Sequence, residues 1–214
     1  MTDTYRHKGL RRNLVQEVRN KGIEDERVLE AIFKVPRHLF MDTGFVKYAY
    51  KDQAFPIGCG QTISQPFTVA FQTHLLEVKK HCKVLEVGTG SGYQTAILCE
   101  LGAKVYTIER QRELYIKAQS FLPTIGYKAT FFYGDGYEGK PSYAPFDRIL
   151  VTAGAAEIPE KLKAQLKEGG IMVIPVGDSS SQVMTRVLRK GEDEFEVTEH
   201  GRFVFVPLLK GKSV

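Results

Sequence analysis

Apolar residues recur at helical intervals through the first third of the chain and in short unbroken runs after it. Leu10, Leu14, Val15 and Val18 form one face of an amphipathic helix that Gly22 ends. Asp25 is placed to cap a second helix carrying Val28, Leu29, Ile32 and Phe33, which Pro36 stops. From Arg37 to Gly60 the chain is irregular and aromatic, with Phe40, Phe45, Tyr48, Tyr50 and Phe55 set to seal a core edge or to line a pocket. Ser64 and Pro66, followed by Phe67, Ala70, Phe71, His74 and Leu75, predict a third helix with Ser64 as its N-cap.

Beyond residue 80 strands and helices alternate. Val84, Leu85 and Val87 read as a strand buried on both faces, and a helix resumes from Tyr93. A strand over 104–108, a helix over 112–122 and a strand over 129–133 follow. Next come a strand over 147–152, a short helix over 158–166, and Gly169-Gly170 leading into a strand over 171–176. Strands over 183–189 and 195–205 flank a charged hairpin at 190–194. The pattern predicts an α/β protein: a Rossmann-like, doubly wound, mostly parallel sheet flanked by helices, with an N-terminal helical extension. Residues 1–80 are read as that extension and 81–214 as the core, together one structural unit with no internal repeat.

Composition narrows the setting. The chain has 214 residues, 43% hydrophobic and 26% charged, which suits one well-cored domain with an appendage. No apolar run has the length of a membrane span, and residues 1–8 lack the apolar core of a secretory signal, so a cytoplasmic location is expected. Cys59, Cys82 and Cys99 have no Cys-x-x-Cys spacing, and the five histidines form no ligand pair; reduced thiols and no metal are expected. A net charge of +5 is only mildly basic, and no lysine or arginine block interleaved with aromatics marks a nucleic-acid surface.

The richest stretch runs from Lys83 to Gln94. Gly88, Gly90 and Gly92 follow the strand at alternate positions, letting the backbone take positive φ and a ligand lie against it, with an anion favoured at the start of the next helix. Gly-x-Gly-x-x-Gly fits neither register, because the sixth positions are Tyr93 and Thr95. Glu86 stands two residues before the glycine run, and Glu109 closes the next apolar run twenty-one residues after Gly88, where a carboxylate suits a ribose diol. This arrangement resembles motif I of the S-adenosylmethionine-dependent methyltransferases. The resemblance implies that Glu86, Gly88, Thr89, Gly90, Ser91 and Gly92 cradle the methionine part of the cofactor. Glu109 is then assigned to the ribose and Asp135, in the turn at 134–136, to the adenine amino group, with Arg110 and Gly136 also counted among the cofactor-binding residues.

The whole chain from about residue 8 to 211 resembles the protein-L-isoaspartate O-methyltransferase family. Its most specific stretches are Gln61-Thr-Ile-Ser-Gln-Pro66, the loop from Leu85 to Thr95, Gly134-Asp-Gly136, Phe146-Asp-Arg-Ile-Leu-Val-Thr-Ala153, Ile174-Pro-Val-Gly177 and Phe205-Val-Pro-Leu208. The Asn/Asp-Pro-Pro-aromatic and Pro-Cys motifs of base methyltransferases are absent after the strand ending at Thr152. The resemblance implies methyl transfer from S-adenosyl-L-methionine, leaving S-adenosyl-L-homocysteine, to isoaspartyl residues of damaged peptides and proteins. Ser64 is the active-site serine by that resemblance, and Thr62, Ile63, Ser64, Val204 and Val206 hold the peptide. Many bacterial members place an arginine where this chain has Val204; here Arg202 lies two residues earlier, on the same face of a strand. A monomer acting on peptides, with no nucleic-acid or membrane partner, is expected. A methyltransferase of a small molecule or RNA, or a non-catalytic cofactor-binding protein, would share the glycine loop without needing Thr62-Ile63-Ser64.

Overall fold

The change of period near residue 80 marks a change of architecture in the computed structural model, which describes residues 2–213. Before it lie α1 (Tyr5–Asn20), α2 (Glu26–Lys34), two 3-10 turns, a small antiparallel hairpin of β1 (Phe55–Gly58) and β2 (Gln61–Ile63), and α3 (Pro66–Leu76). After it come β3 (Lys83–Val87), α4 (Tyr93–Glu100), β4 (Lys104–Glu109), α5 (Arg112–Phe121) and β5 (Thr130–Tyr133). Then follow β6 (Phe146–Val151), α6 (Glu160–Ala164), β7 (Leu166–Gly177), β8 (Gln182–Arg189) and β9 (Phe195–Phe203).

The main sheet has the order β5-β4-β3-β6-β7-β8-β9. The pairings from β5 to β7 are parallel, while β8 and β9 add an antiparallel ribbon at one edge. Alternation along β3 sends its side chains to both faces, as a doubly wound sheet requires: Leu85 and Val87 pack with Leu162 of α6, and Val84 with Leu76 of α3 and Leu98 of α4. A third cluster joins Leu14, Leu29, Ile32, Ile57 and Ile63 of the extension to Ala96 and Ile97 of α4 and Leu114 of α5. The extension therefore packs on the helical layer of the core. Among the described residues no helix is long and apolar enough to cross a membrane.

Several boundaries differ from the sequence expectation. The 37–60 segment, read as irregular, holds β1, and Thr62-Ile63 belongs to β2; both strands are too short to show a period. The helix expected over 158–166 covers only Glu160–Ala164, and β7 begins at Leu166, so Gly169-Gly170 falls inside the strand at a shift of register against β6.

Ser64 is not the cap of α3. The capping position is Gln65, whose side chain makes no capping bond. The helix start is held instead by Asp52, whose carboxylate accepts the Phe67 N–H at 2.7 Å and the Gln65 side-chain amide at 2.8 Å, and pairs with Lys21. The Asp52 side chain is 2% exposed, so this charge-assisted network is sheltered from water. Asp52→Ala should cost roughly 1–3 kcal/mol, since the part-buried Phe67 N–H and the Gln65 amide lose their charged acceptor. Ser64→Ala should stay within about 0.5 kcal/mol. Urea denaturation of the two variants reads the difference, and equal losses would return the capping role to Ser64.

Candidate active site

In a sheet of this order the direction of winding reverses between β3 and β6, and the loops after those strands face each other across the crevice where open α/β sheets take ligands. The loop after β3 carries Gly88, Gly90 and Gly92 at φ of +98°, +54° and +84°, a region that favours glycine. The loop after β6 begins at Thr152, whose hydroxyl lies 2.7 Å from the Gly88 carbonyl and 3.0 Å from that of Val87. A Cβ on Gly88 would come within 2.4 Å of that same oxygen. The two halves of the sheet therefore meet at a residue where any side chain would have to displace Thr152.

The loop forms one side of a cavity that is open to solvent. Gly88, Thr89, Gly90, Ser91, Glu109, Arg110 and Gly136 line it, and so do Thr62, Ile63, Ser64 and Val206 from the expected peptide side. The first turn of α4 opens onto it, with Tyr93 and Gln94 on the wall; the Tyr93 N–H donates to the Ser91 hydroxyl at 3.3 Å, and the helix start favours an anion beside it. Glu109 is 5% exposed and already organises the loop: one oxygen accepts the Gly90 N–H and the other the Gln111 N–H, each at 2.8 Å.

Other expected contacts lie off this wall. Glu86 is fully buried behind the loop, where Thr95 donates to one carboxylate oxygen and the other lacks a partner. Gly92 caps α4 with its Cβ direction against Leu122. Asp135 does not face the cavity in this structure, because its two oxygens accept the N–H groups of Tyr137 at 2.8 Å and Gly211 at 2.6 Å. Arg110 reaches the same terminal segment, its Nε donating to the Gly211 carbonyl.

A second cavity of about 450 Å3 lies between the start of α3 and the segment after β9. Thr62, Ser64, Thr152 and Val206 line both cavities, whereas Val204 lines only the second and is 76% exposed. Thr152, Gln61, Gln94 and Leu208 are wall residues that sequence reasoning missed. Thr152 was signalled by its place at the end of an apolar run, but its role depends on β6 lying beside β3. One Asp3, His7 and His38 group brings its ligand atoms within 4.8 Å of one another. There Asp3 is bound by Arg11, His7 Nδ1 accepts the Thr4 N–H, and His38 Nδ1 meets the Tyr50 hydroxyl; none of the three lines either cavity.

A mostly parallel sheet with a glycine loop at its reversal point and an acid closing the neighbouring strand defines the S-adenosylmethionine-dependent methyltransferase class. Comparison with known proteins gives the narrower assignment. The family model described as protein-L-isoaspartate(D-aspartate) O-methyltransferase matches residues 9–213, and the chain belongs to that family. It is 62% identical, over the full length of both chains, to the protein-L-isoaspartate O-methyltransferase of Christiangramia forsetii. A solved protein-L-isoaspartate O-methyltransferase superposes with a TM-score of 0.83 at 28% identity, covering 92% of this chain and 65% of that one. A putative Plasmodium falciparum member in complex with S-adenosyl-L-homocysteine gives 0.81 at 26% identity, covering 96% and 99%.

The chain's own residues fit the cofactor that the family uses. Gly88 leaves the space that a Cβ would fill, Glu109 presents a carboxylate, and the α4 start offers N–H groups to an anion. Gly90→Ala should cost about 1–2 kcal/mol for the left-handed backbone alone, since Ile57 lies at a tolerable 3.4 Å. Gly88→Ala should cost roughly 2–4 kcal/mol, because Thr152 must also move. Denaturation midpoints together with S-adenosylmethionine titration check that order.

Burial raises the Glu86 carboxyl from 4.5 to about 7, against the opposing hydrogen bond from Thr95, with nearby Glu109 pushing it further up. An acid whose folded value is raised binds its proton more tightly folded than unfolded, so its contribution favours the fold at low pH and is lost as pH rises from about 4.5 to about 7. That loss amounts to roughly 3 kcal/mol. Glu86→Gln should remove this pH dependence and gain stability over the parent protein at pH 8, as read by urea unfolding at both ends of the window.

Proposed function

We propose that this chain transfers a methyl group from S-adenosylmethionine to the free α-carboxylate of L-isoaspartyl residues in damaged peptides and proteins, leaving S-adenosylhomocysteine and initiating repair. One observation carries the residue-level reading: the glycine-loop cavity and the second, open cavity share Thr62, Ser64, Thr152 and Val206. A donor on one side and an acceptor on the other therefore meet at a wall that bears one serine and two threonines.

When bound, S-adenosylmethionine supplies a methyl group on a positively charged sulfur. The residues assigned to hold it are Gly88, Thr89, Gly90 and Ser91 at the methionine part, Glu109 and Arg110 at the ribose, and Gly136 at the base. Glu86 and Gly92 support the loop from behind. Asp135 joins the base side only if Gly211 releases its carboxylate. The acceptor carboxyl has a reference pKa of about 3.3–3.7 and is ionised at neutral pH, so it needs no base. The remaining task is alignment, which is worth roughly 7–11 kcal/mol when complete.

Ser64 is assigned to orient that carboxylate through its hydroxyl. The start of α3 cannot serve as the anion site unaided, because Asp52 already occupies the Phe67 N–H. Thr62, Ile63, Val204 and Val206 form the peptide's bed. Residues 1–80 are assigned to the substrate side and 81–214 to the cofactor side. The unpaired cysteines suit a reducing cytoplasm, and the chain is proposed to act as a monomer.

Ser64→Ala should retain S-adenosylmethionine affinity and lose most turnover in a radiolabelled-methyl assay on matched isoaspartyl and aspartyl peptides. Equal labelling of the two peptides would overturn the substrate assignment, and full turnover in the variant would overturn the role of Ser64.

A further inference from the structure

Arg202 is the only charged side chain among the described residues lining the second cavity, and it has no carboxylate within ion-pair distance and no side-chain hydrogen bond. The other arginines of this edge are engaged: Arg186 pairs with Glu77 at 2.8 Å, and Arg189 donates to the carbonyls of Leu166 and Glu192. The acid whose carboxyl Arg202 helps to hold down is Asp178, which is already bound by Ser180 and Ser181 and depressed chiefly by Ser180. An unpaired guanidinium is thus presented to the cavity that the peptide is assigned to fill.

We propose that Arg202 is a specificity-determining residue that binds a second carboxylate of the substrate, an Asp or Glu side chain within four residues of the isoaspartyl. This rests on the peptide-methylating function above. The methylated carboxylate itself is excluded by position and by chemistry. Arg202 is absent from the wall shared with the cofactor cavity, and a bidentate guanidinium would draw charge from the attacking oxygen. The distance follows from the chain. Arg202 precedes Val206, on the shared wall, by four residues, which span at most about 14 Å. An extended peptide advances about 3.3 Å per residue, so an acid within four positions of the reacting residue comes level with Arg202. The exposed Val204 between them leaves the path open.

The test is a panel of isoaspartyl peptides that are identical except for Glu, Gln or Lys at each position up to four residues to either side. KM and kcat are measured for the parent protein, Arg202→Gln and Arg202→Glu. At one or two positions on one side, the parent protein should show a KM for Glu about three- to fivefold below that for Lys, the upper part of the range expected of an exposed ion pair. Arg202→Gln should narrow that gap to within about twofold, and Arg202→Glu should reverse the order, with the gap fading at high salt. A purely structural role for Arg202 cannot reverse a charge preference. An unchanged Glu-over-Lys order in Arg202→Glu, or no charge preference in the parent protein, overturns the proposal. Failure of the underlying function looks different: no peptide of the panel, the Gln one included, would be methylated by the parent protein.

Discussion

The close approach of the Thr152 hydroxyl to the Gly88 carbonyl is the contact on which the rest of the site depends. It spans the point where the winding of the sheet reverses, and it leaves no room for a Cβ on Gly88. With that distance set, the backbone turns directly from β3 toward α4, so the start of α4 faces the cavity and Glu109, from the neighbouring strand, reaches the Gly90 N–H. The loop's shape is thus fixed by contacts within the chain itself, with three glycines at positive φ and the Gly90 N–H held by Glu109.

A second theme is the handling of buried charge around the two cavities. Asp52 neutralises the start of α3 and draws Lys21 to it, tying α1 to the helix that follows Ser64. Arg37 is fully buried with its guanidinium 4.9 Å from the Tyr93 ring centre, and burial lowers it to about 10, so it remains a cation at neutral pH behind a wall residue of the cofactor cavity. Glu86, on the other side of the loop, is an acid that burial holds partly protonated near pH 7. The polar groups around the two cavities are thus fixed by packing and by hydrogen bonds within the chain.

The extension covers the core's own helices. Ile57 and Ile63 of the hairpin pack in the cluster that contains Ala96 and Ile97 of α4, so Ser64 is carried to the mouth of the cofactor cavity by hydrophobic burial. The segment after β9 closes the opposite side. There the Gly154 N–H donates to the Val206 carbonyl and the Leu208 N–H to the Gly154 carbonyl, which fixes Val206 at the shared wall and leaves Val204 and Arg202 outside it.

The parallel core, the glycine loop and Glu109 were legible in the chain because each is local. Apolar runs report strands buried on both faces, three alternate glycines report a backbone of positive φ, and an acid ending a strand in a βαβ unit lies beside the loop by topology alone. Spacing also pointed to Ser64, but for the wrong local reason: it suggested a cap, whereas the true acceptor, Asp52, stands fifteen residues before Phe67 and no short-range rule links them. The short strands β1 and β2 had too few residues to show a period, and the start of β7 was hidden because a strand with a bulge at two glycines reads as a turn. Tertiary structure alone decided that Thr152 meets Gly88, that Asp135 turns to Gly211, and that Arg202 has no ion-pair partner among the described residues. Each of these is a relation between segments distant in sequence, set by sheet order and close packing and not by the pattern of any one stretch.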